Sequence, residues 1–479
     1  MKKLVFFTGV KMNLNKKCVF SLTTVFFLAF TLGGLALSGN QKDSSHFQTI
    51  TDEISKKGLA ELGAFSILKK ITGIGPRLTG SPQAAAAVEL MLQEMKDLGL
   101  DNVHLEPTLV PRWIRGLKEE SRLISSAVGT LPLSICSLGG SIGTPKNGMS
   151  SQVLEVNSFD ELNHLGDQAK GKIVFFNRAM DPSLLDTFAA YGGAAEQRVQ
   201  GAIEGAKAGA VAVLVRSLTS RLDNFPHTGI MRYSPDIEKI PAACISTIGA
   251  NLLSNALKND PKLQVFMSFD CQNLSPVTSY NVIGQLTGTE KPEEIILVGG
   301  HLDSWDLSPG AHDDGAGCAH SLEALRLIKE LGLHPKRTIR AVMFMDEESG
   351  GTGGRDYAAA SEREKEFHLA AIESDRGGFL PLRFGIGGSQ EAFQNLKKWD
   401  SLFLSLGMFG MSRGGGGVDI APLAEGGTIT IGLIPDSQRY FDVHHSGRDV
   451  LDTVNPRELE LGAIAMTVFT YVMAQDGIN

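Results

Sequence analysis

The segment "HLDSWDLSPGAHDDGAG" (residues 301–317) places two His and four Asp directly after the apolar run "IILV". Carboxylates and imidazoles are costly in an interior unless something positive holds them. One reading is a polar loop rich in turn formers. The other is a metal site. Similar groups recur downstream: Glu347 and Glu348 in "MDEES", Asp375 in "ESDRGG", and His444 and His445 in "YFDVHHSGRD". Two His and three or more carboxylates, if they converge, need a cation. A mixed N/O shell suits Zn²⁺ ahead of Mn²⁺ or Co²⁺, whereas an all-oxygen shell suits Mg²⁺ or Ca²⁺. Five protein ligands are too many for one open tetrahedral zinc, but with a bridging carboxylate they suit two metals roughly 3.5–4 Å apart. Adjacent Glu347 and Glu348 need not do the same job: one can bind metal while the other stays free as a base. Asp303, two residues after His301, can accept the other ring N–H of that imidazole and fix its tautomer. A helix beginning after "DDGAG" would favour anionic Asp313 through its dipole.

Singly, each of these features is ordinary. Their joint order is what carries weight, because each sits where a strand is expected to end. "EEIILVGGHLD", "RTIRAVMFMDEE", "HLAAIESD" and "TITIGLIPD" read as strands. They alternate with helices at "GAGCAHSLEALRLIKELGL" and "NPRELELGAIAMTVFTYVMAQ". This alternation predicts an α/β fold with a mostly parallel central sheet and helices on both faces. In such sheets ligands bind beyond the carboxyl ends of the strands, so residues distant in sequence can meet there. Of the remaining His, His312 abuts Asp313, and His320 is expected to be structural. Cys318 is expected to pack rather than ligate. Four Cys follow the N-terminal region, at 136, 244, 271 and 318. With no CxxC spacing they form no metal cluster, and one disulfide at most is expected.

The 479 residues are 42% hydrophobic and 20% charged, enough for a large core in two or more domains. A net charge of -8 and the lack of a basic stripe exclude nucleic acid as a partner. Up to Ser38 the chain holds five Lys and no acid, then an apolar run from about Cys18 to Leu37 and "ALS" before Gly39. That is the plan of a signal peptide over residues 1–38, so the mature chain is expected to be secreted or periplasmic, without stable membrane association. A membrane anchor through residues 18–37 is the alternative. Residues 131–270 differ in character, with short strands ("GKIVFFNR", "IPAACIS") around an Ala/Gly-rich helix ("AIEGAKAGAVAVLVRS") and no cluster of catalytic side chains. They read as a compact αβ unit beside the cleft that restricts access to it.

The set "GGHLDSWDLSPGAHDDGAG … MDEESGGTGG … ESDRGG … FDVHHSGRDVLDT", with the early "GPRLTGS", resembles the di-zinc aminopeptidase and glutamate carboxypeptidase family. The resemblance covers most of the mature chain. It implies a zinc-exopeptidase, phosphorylase/hydrolase-like fold over 39–130 and 271–479, and residues 131–270 resemble the protease-associated domain inserted in several secreted peptidases. It implies two Zn²⁺ per protomer: His301 and Asp375 on one, Glu348 and His445 on the other, and Asp313 bridging. Glu347 matches the general base, and His445 rather than His444 matches because the family's ligand directly precedes Ser or Thr. The implied substrates are dipeptides or short peptides with free termini. An aminopeptidase of longer peptides and a non-catalytic receptor ectodomain are the rival readings. The resemblance also implies that the insertion can contribute to a homodimer interface. Arg376, following Asp375, and the Gly-rich "RGGGGVDIAPL" depart from the family pattern.

Overall fold

The structure, a computed structural model, describes residues 45–478; the expected signal peptide and the anchor alternative lie outside the described residues. The chain divides at Ile50: residues 45–50 are helical, and Thr51–Asn479 carries two eight-stranded sheets. No helix among the described residues is long and apolar enough to cross a membrane.

The first sheet begins with β1 (Asp101–Ile114). The chain then builds the second sheet from β2 (Glu119–Ser125), β3 (Gly129–Pro132), β4 (Ile135–Ser137), β5 (Met149–Val156), β6 (Ile173–Phe176), β7 (Ala212–Arg216), β8 (Ala242–Ile245) and β9 (Gln264–Phe269). It returns to the first sheet through β10 (Gln272–Leu286), β11 (Lys291–His301), β12 (Arg337–Phe344), β13 (Phe367–Glu373), β14 (Pro381–Ile386), β15 (Met411–Arg413) and β16 (Ile429–Pro435). The order of the first sheet is β1-β10-β12-β11-β13-β16-β14-β15. Its central strands β12, β11, β13 and β16 are mutually parallel, β1 and β10 pair antiparallel with their neighbours, and β14 is antiparallel to β16 but parallel to β15. The sheet is therefore mixed around a parallel centre. All eight residues of β12 are buried, as a strand covered on both faces requires.

Alternation along β11 shows what covers each face. Leu297 clusters with Tyr357 of the helix Thr352–Glu364. Gly300, on the opposite face, lies against Gly317 and Cys318 of the helix Ala316–Glu330, where a Cβ would not fit. The helix Pro456–Asp476 packs along that helix, with Gly462 against the His320 ring. Side-chain caps start the flanking helices: Ser81 accepts from Ala84 N ahead of Pro82, and Asn455 from Arg457 N ahead of Pro456.

The second sheet has the order β3-β2-β9-β5-β6-β7-β8-β4, with β5 to β8 parallel. Phe175 packs under the helix Thr247–Asn259, and its neighbour Phe176 under Thr187–Lys207, so this sheet too is covered on both faces. Its strands begin at Glu119, ahead of residue 131, because "EESRLIS" pairs with β9. The chain enters and leaves through paired strands, with Ile114 opposite Gln272. Among the described residues, Cys136, Cys244, Cys271 and Cys318 are buried and free.

The approach of the helix Ala316–Glu330 to the strand ends depends on Gly317. A Cβ there would collide with the Ser374 carbonyl and the Asp314 carboxylate. Gly317→Ala is expected to destabilise the protein by about 3 kcal/mol, the upper range for overpacking, read as a lower denaturant midpoint.

Candidate metal centre

His301 ends β11 beside β12 and β13, so its ring stands at the carboxyl end of the parallel strands. Its Nδ1 faces the Asp303 carbonyl at 3.0 Å, which leaves Nε2 to face inward. There Nε2 lies 3.2 Å from Asp313 Oδ1 and 3.4 Å from Asp375 Oδ1. The other Asp313 oxygen, Oδ2, lies 3.3 Å from His445 Nε2, and that nitrogen lies 3.0 Å from Glu348 Oε2. Asp313 thus stands between two imidazoles, one from β11 and one from the loop after β16. The structure brings together His301, Asp313, Glu348, Asp375 and His445, with Glu347 alongside.

Each of these side chains is held by backbone contacts that the sequence does not advertise. The Asp449 carboxylate accepts His312 N at 2.7 Å and Asp313 N at 3.0 Å. Asp314 turns away and accepts His301 N and Gly317 N. It is therefore Asp314, not Asp313, that occupies the helix start. His445 adopts a left-handed backbone, φ 58°. Its amide segment pairs with the second-sheet region: Thr228 N donates to His445 O at 2.8 Å, and His445 Nδ1 lies 3.3 Å from Thr228 O. His444 stacks on His445 at 3.5 Å, with its Nε2 3.6 Å from Asp313 Oδ2. Tyr191, Tyr440 and Phe441 surround the His444 ring. Burial and the neighbouring His445 hold its pKa well below the usual histidine value.

Asp303 corrects one expectation. The acceptor for the His301 ring is its carbonyl, while the carboxylate Oδ1 is 3.8 Å from Nδ1. The carboxylate instead receives Asp346 N at 2.8 Å, Glu347 N at 3.2 Å and Glu348 N at 3.3 Å, together with the Thr79 hydroxyl at 2.7 Å. The turn that carries both glutamates is built on this one carboxylate, because the peptide N–H groups after β12 have no strand partner. Arg77, fully buried, braces the loop after β11 by donating to the carbonyls of Leu302, Pro309 and Gly310. Arg77 and Thr79 both fall in "GPRLTGS", and Asp449 in "SGRD", but nothing local to those segments states what they hold. His312 lies outside the cluster, stacked on Phe379, with Nδ1 accepting Gly378 N. Cys318 Sγ donates to the His301 carbonyl and packs.

The electrostatics draw positive charge into this site. Burial opposes charge on His301, yet Asp313 and Asp375 hold its pKa well above the usual value. Burial likewise opposes charge on His445, yet Glu348 and Asp313 hold its pKa well above. Burial opposes the Asp313 carboxylate, but the flanking imidazoles hold it well below the usual range. Burial raises Glu347 well above the ordinary carboxyl range, aided by Asp375 and Glu348, and raises Glu348 to about 7, aided by Asp313. His301 Nε2, Asp313 Oδ2 and Glu348 Oε1 are buried with no hydrogen-bond partner. Inward-facing ligand atoms left without hydrogen-bond partners in this way fit a metal site. Among the described residues, two sets have ligand atoms mutually within 4.8 Å: His301, Asp313 and Asp375, and Asp313, His444 and His445.

This arrangement, on a mixed sheet with a parallel centre, is that of a metallohydrolase. The comparisons with known proteins agree. Residues 281–471 match Peptidase family M28. The chain is 35% identical to carboxypeptidase Q of Bos taurus, covering 96% of this chain and 98% of that protein. It is 35% identical to carboxypeptidase Q of Homo sapiens over 92% and 94%. The crystal structure of a Peptidase M28 precursor from Shewanella amazonensis SB2B superposes with a TM-score of 0.87 at 33% identity, covering 91% of this chain and 98% of that one. BSAP, a zinc aminopeptidase from Bacillus subtilis, shares the fold with a TM-score of 0.62 at 21% identity, over 86% and 94%. The chain belongs to peptidase family M28. It is a metallopeptidase, similar over nearly its whole length to carboxypeptidase Q.

The role of Asp303 can be tested without activity. Asp303→Asn puts an amide donor where only N–H and O–H groups point. It should cost about 1–3 kcal/mol, the range for leaving buried donors unsatisfied. The checks are a lowered melting temperature and reduced metal retention after dialysis.

Proposed function

We propose that this metallopeptidase is an exported di-zinc exopeptidase that hydrolyses dipeptides or short peptides with free termini. The observation that carries the reading is the shared Asp313 carboxylate, flanked by His301 and His445, with His301 Nε2, Asp313 Oδ2 and Glu348 Oε1 left without hydrogen-bond partners. His301 and Asp375 would hold one zinc, Glu348 and His445 the other, and Asp313 would bridge. His445 is preferred to the adjacent His444 because its Nδ1 is engaged by Thr228 and its Nε2 also meets Glu348. The donor set is mixed nitrogen and oxygen, which suits zinc. The zinc of the Bacillus subtilis relative and the carboxypeptidase name of the mammalian ones support the same reading.

Bound zinc supplies Lewis acidity to the scissile carbonyl and acidifies water. The chain supplies the proton transfers. Glu347, its amide held by Asp303 beside the ligand Glu348, takes the proton of the attacking water and delivers it to the leaving amine. Asp303 keeps Glu347 and Glu348 on opposite duties by fixing both amides. The second sheet, from Glu119 to Phe269, belongs to this reading as the protease-associated insertion, and the segments before and after it that build the first sheet belong to it as the catalytic domain. It meets the loop after β16 through Thr187 and Ser437, and through Gln438 and Leu185, which supports a role in limiting substrate length.

Elemental analysis of zinc-loaded, desalted protein should give about two zinc per protomer; a ratio near zero or one contradicts the bridged site. Glu347→Gln should keep the metal and lose at least about 100-fold in turnover, the lower range for a general base. Asp313→Asn should lose metal as well, since it removes the anion between two cations. A peptide panel with free and blocked termini, with and without chelator, reads both effects. Protein recovered from a secreting host should begin near Gly39 by N-terminal sequencing.

A further inference from the structure

Arg376 follows Asp375 directly and is half-buried. Its guanidinium lies over the Phe188 ring at 4.3 Å. Among the described residues it has no carboxylate within ion-pair distance and no hydrogen bond, so it is not a structural ion pair. It lines a cavity of about 460 Å³, together with Arg383, Arg413 and the glycines 414–416. The two acids in that cavity are already engaged. Asp186 accepts Phe188 N and Ala189 N at the start of its helix, and Asp436 accepts Gln438 N. Arg413 donates to the carbonyls of Gly388 and Ser389, while Arg383 is exposed. The cavity therefore has a surplus of positive charge, and its one half-buried, unmatched cation is a single peptide bond from the metal centre. Its wall is the Gly-rich segment. Gly414 and Gly416 take left-handed backbone (φ 94° and 83°), and Gly417 lies against the Glu373 carboxylate, where no Cβ would fit. These glycines bring bare backbone across the strand ends and leave the space open.

We propose that this cavity receives the substrate residue on the leaving-group side of the scissile bond, and that Arg376 binds a carboxylate carried by that residue. This rests on the exopeptidase reading above. A planar guanidinium held on an aromatic face presents a fork that matches a carboxylate, and partial burial strengthens the contact. Two sources share that chemistry: the terminal α-carboxylate, and an acidic side chain. Either would explain why Arg376 stands here without a carboxylate or hydrogen-bond partner from the described residues.

The test compares Ala-Leu, Ala-Leu amide and Ala-Glu amide on the zinc-loaded wild type, Arg376→Ala and Arg376→Lys. Calorimetric binding of the same peptides is measured in the Glu347→Gln background, with and without Arg376→Ala. The wild type should favour Ala-Leu over its amide by about tenfold or more in kcat/KM, the scale of one charge-assisted contact. Arg376→Ala should collapse that ratio toward one, mainly through KM, with melting temperature and zinc content as in the parent. Arg376→Lys should restore part of it. In Glu347→Gln, Ala-Leu should bind tighter than its amide, and adding Arg376→Ala should abolish the difference. If Arg376→Ala affects Ala-Glu amide and spares Ala-Leu, the subsite stands and its carboxylate is the side chain. Peptide cleavage with no Arg376-dependent preference for either acid overturns the subsite and leaves the exopeptidase reading intact. Arg376-dependent binding without hydrolysis of any peptide overturns that reading and keeps the subsite. Loss of both overturns both.

Discussion

One buried carboxylate faced by two imidazoles sets the terms for the rest of the molecule. Asp313 is almost fully enclosed, with His301 on one oxygen and His445 on the other, and Asp375 and Glu348 complete the ring. Desolvated charge of this density is unstable unless cations neutralise it. It also relaxes unless each side chain is prevented from turning toward a neighbour. Much of the chain around the strand ends acts as that restraint.

The restraint is itself largely acidic. Asp303, Asp314 and Asp449 sit within the same region as the inward-facing acids, yet they accept backbone N–H groups instead of facing the centre. A carboxylate offers several acceptor sites in a small volume, so one residue can collect the free amides of a whole turn. Asp303 does so for the glutamate turn, and Asp449 for the turn carrying Asp313. Arg77, buried among Asp303, Asp314 and Asp449, offsets part of the resulting negative charge while tying down the loop after β11. The acids thus divide into those that shape the backbone and those that face the centre, and composition alone cannot separate them.

The second sheet reaches further into the centre than a mere cover would. Thr228, which lies between β7 and β8, forms a two-way contact with His445 and fixes its ring and its left-handed backbone. Arg115 ties the same threonine to Asp306 of the loop after β11, through contacts at 3.2 Å and 2.6 Å. Because β1 and β10 are paired where they lead into that sheet, its position is coupled to the main sheet, and a displacement of one would disturb the imidazole held by the other.

The linear chain by itself determined the α/β class, the helices of "GAGCAHSLEALRLIKELGL" and "NPRELELGAIAMTVFTYVMAQ", and the run of acid and imidazole at successive strand ends. These follow from local rules: periodicity, and the preference of ligands for the carboxyl ends of parallel strands. The antiparallel flanks of the sheet were not legible, because β1, β10 and β14 have the same local patterning whichever neighbour they pair with. Nor was the duty of Asp303, since whether its carbonyl or its carboxylate meets His301 depends on where the amides of a turn some forty residues later come to rest. The same holds for Thr79, Thr228 and Asp449, whose partners lie far away in sequence. Side-chain chemistry is a property of the residue and can be read in one dimension. The choice of hydrogen-bond partner is settled only when distant backbone is brought within 3 Å, and tertiary structure alone does that.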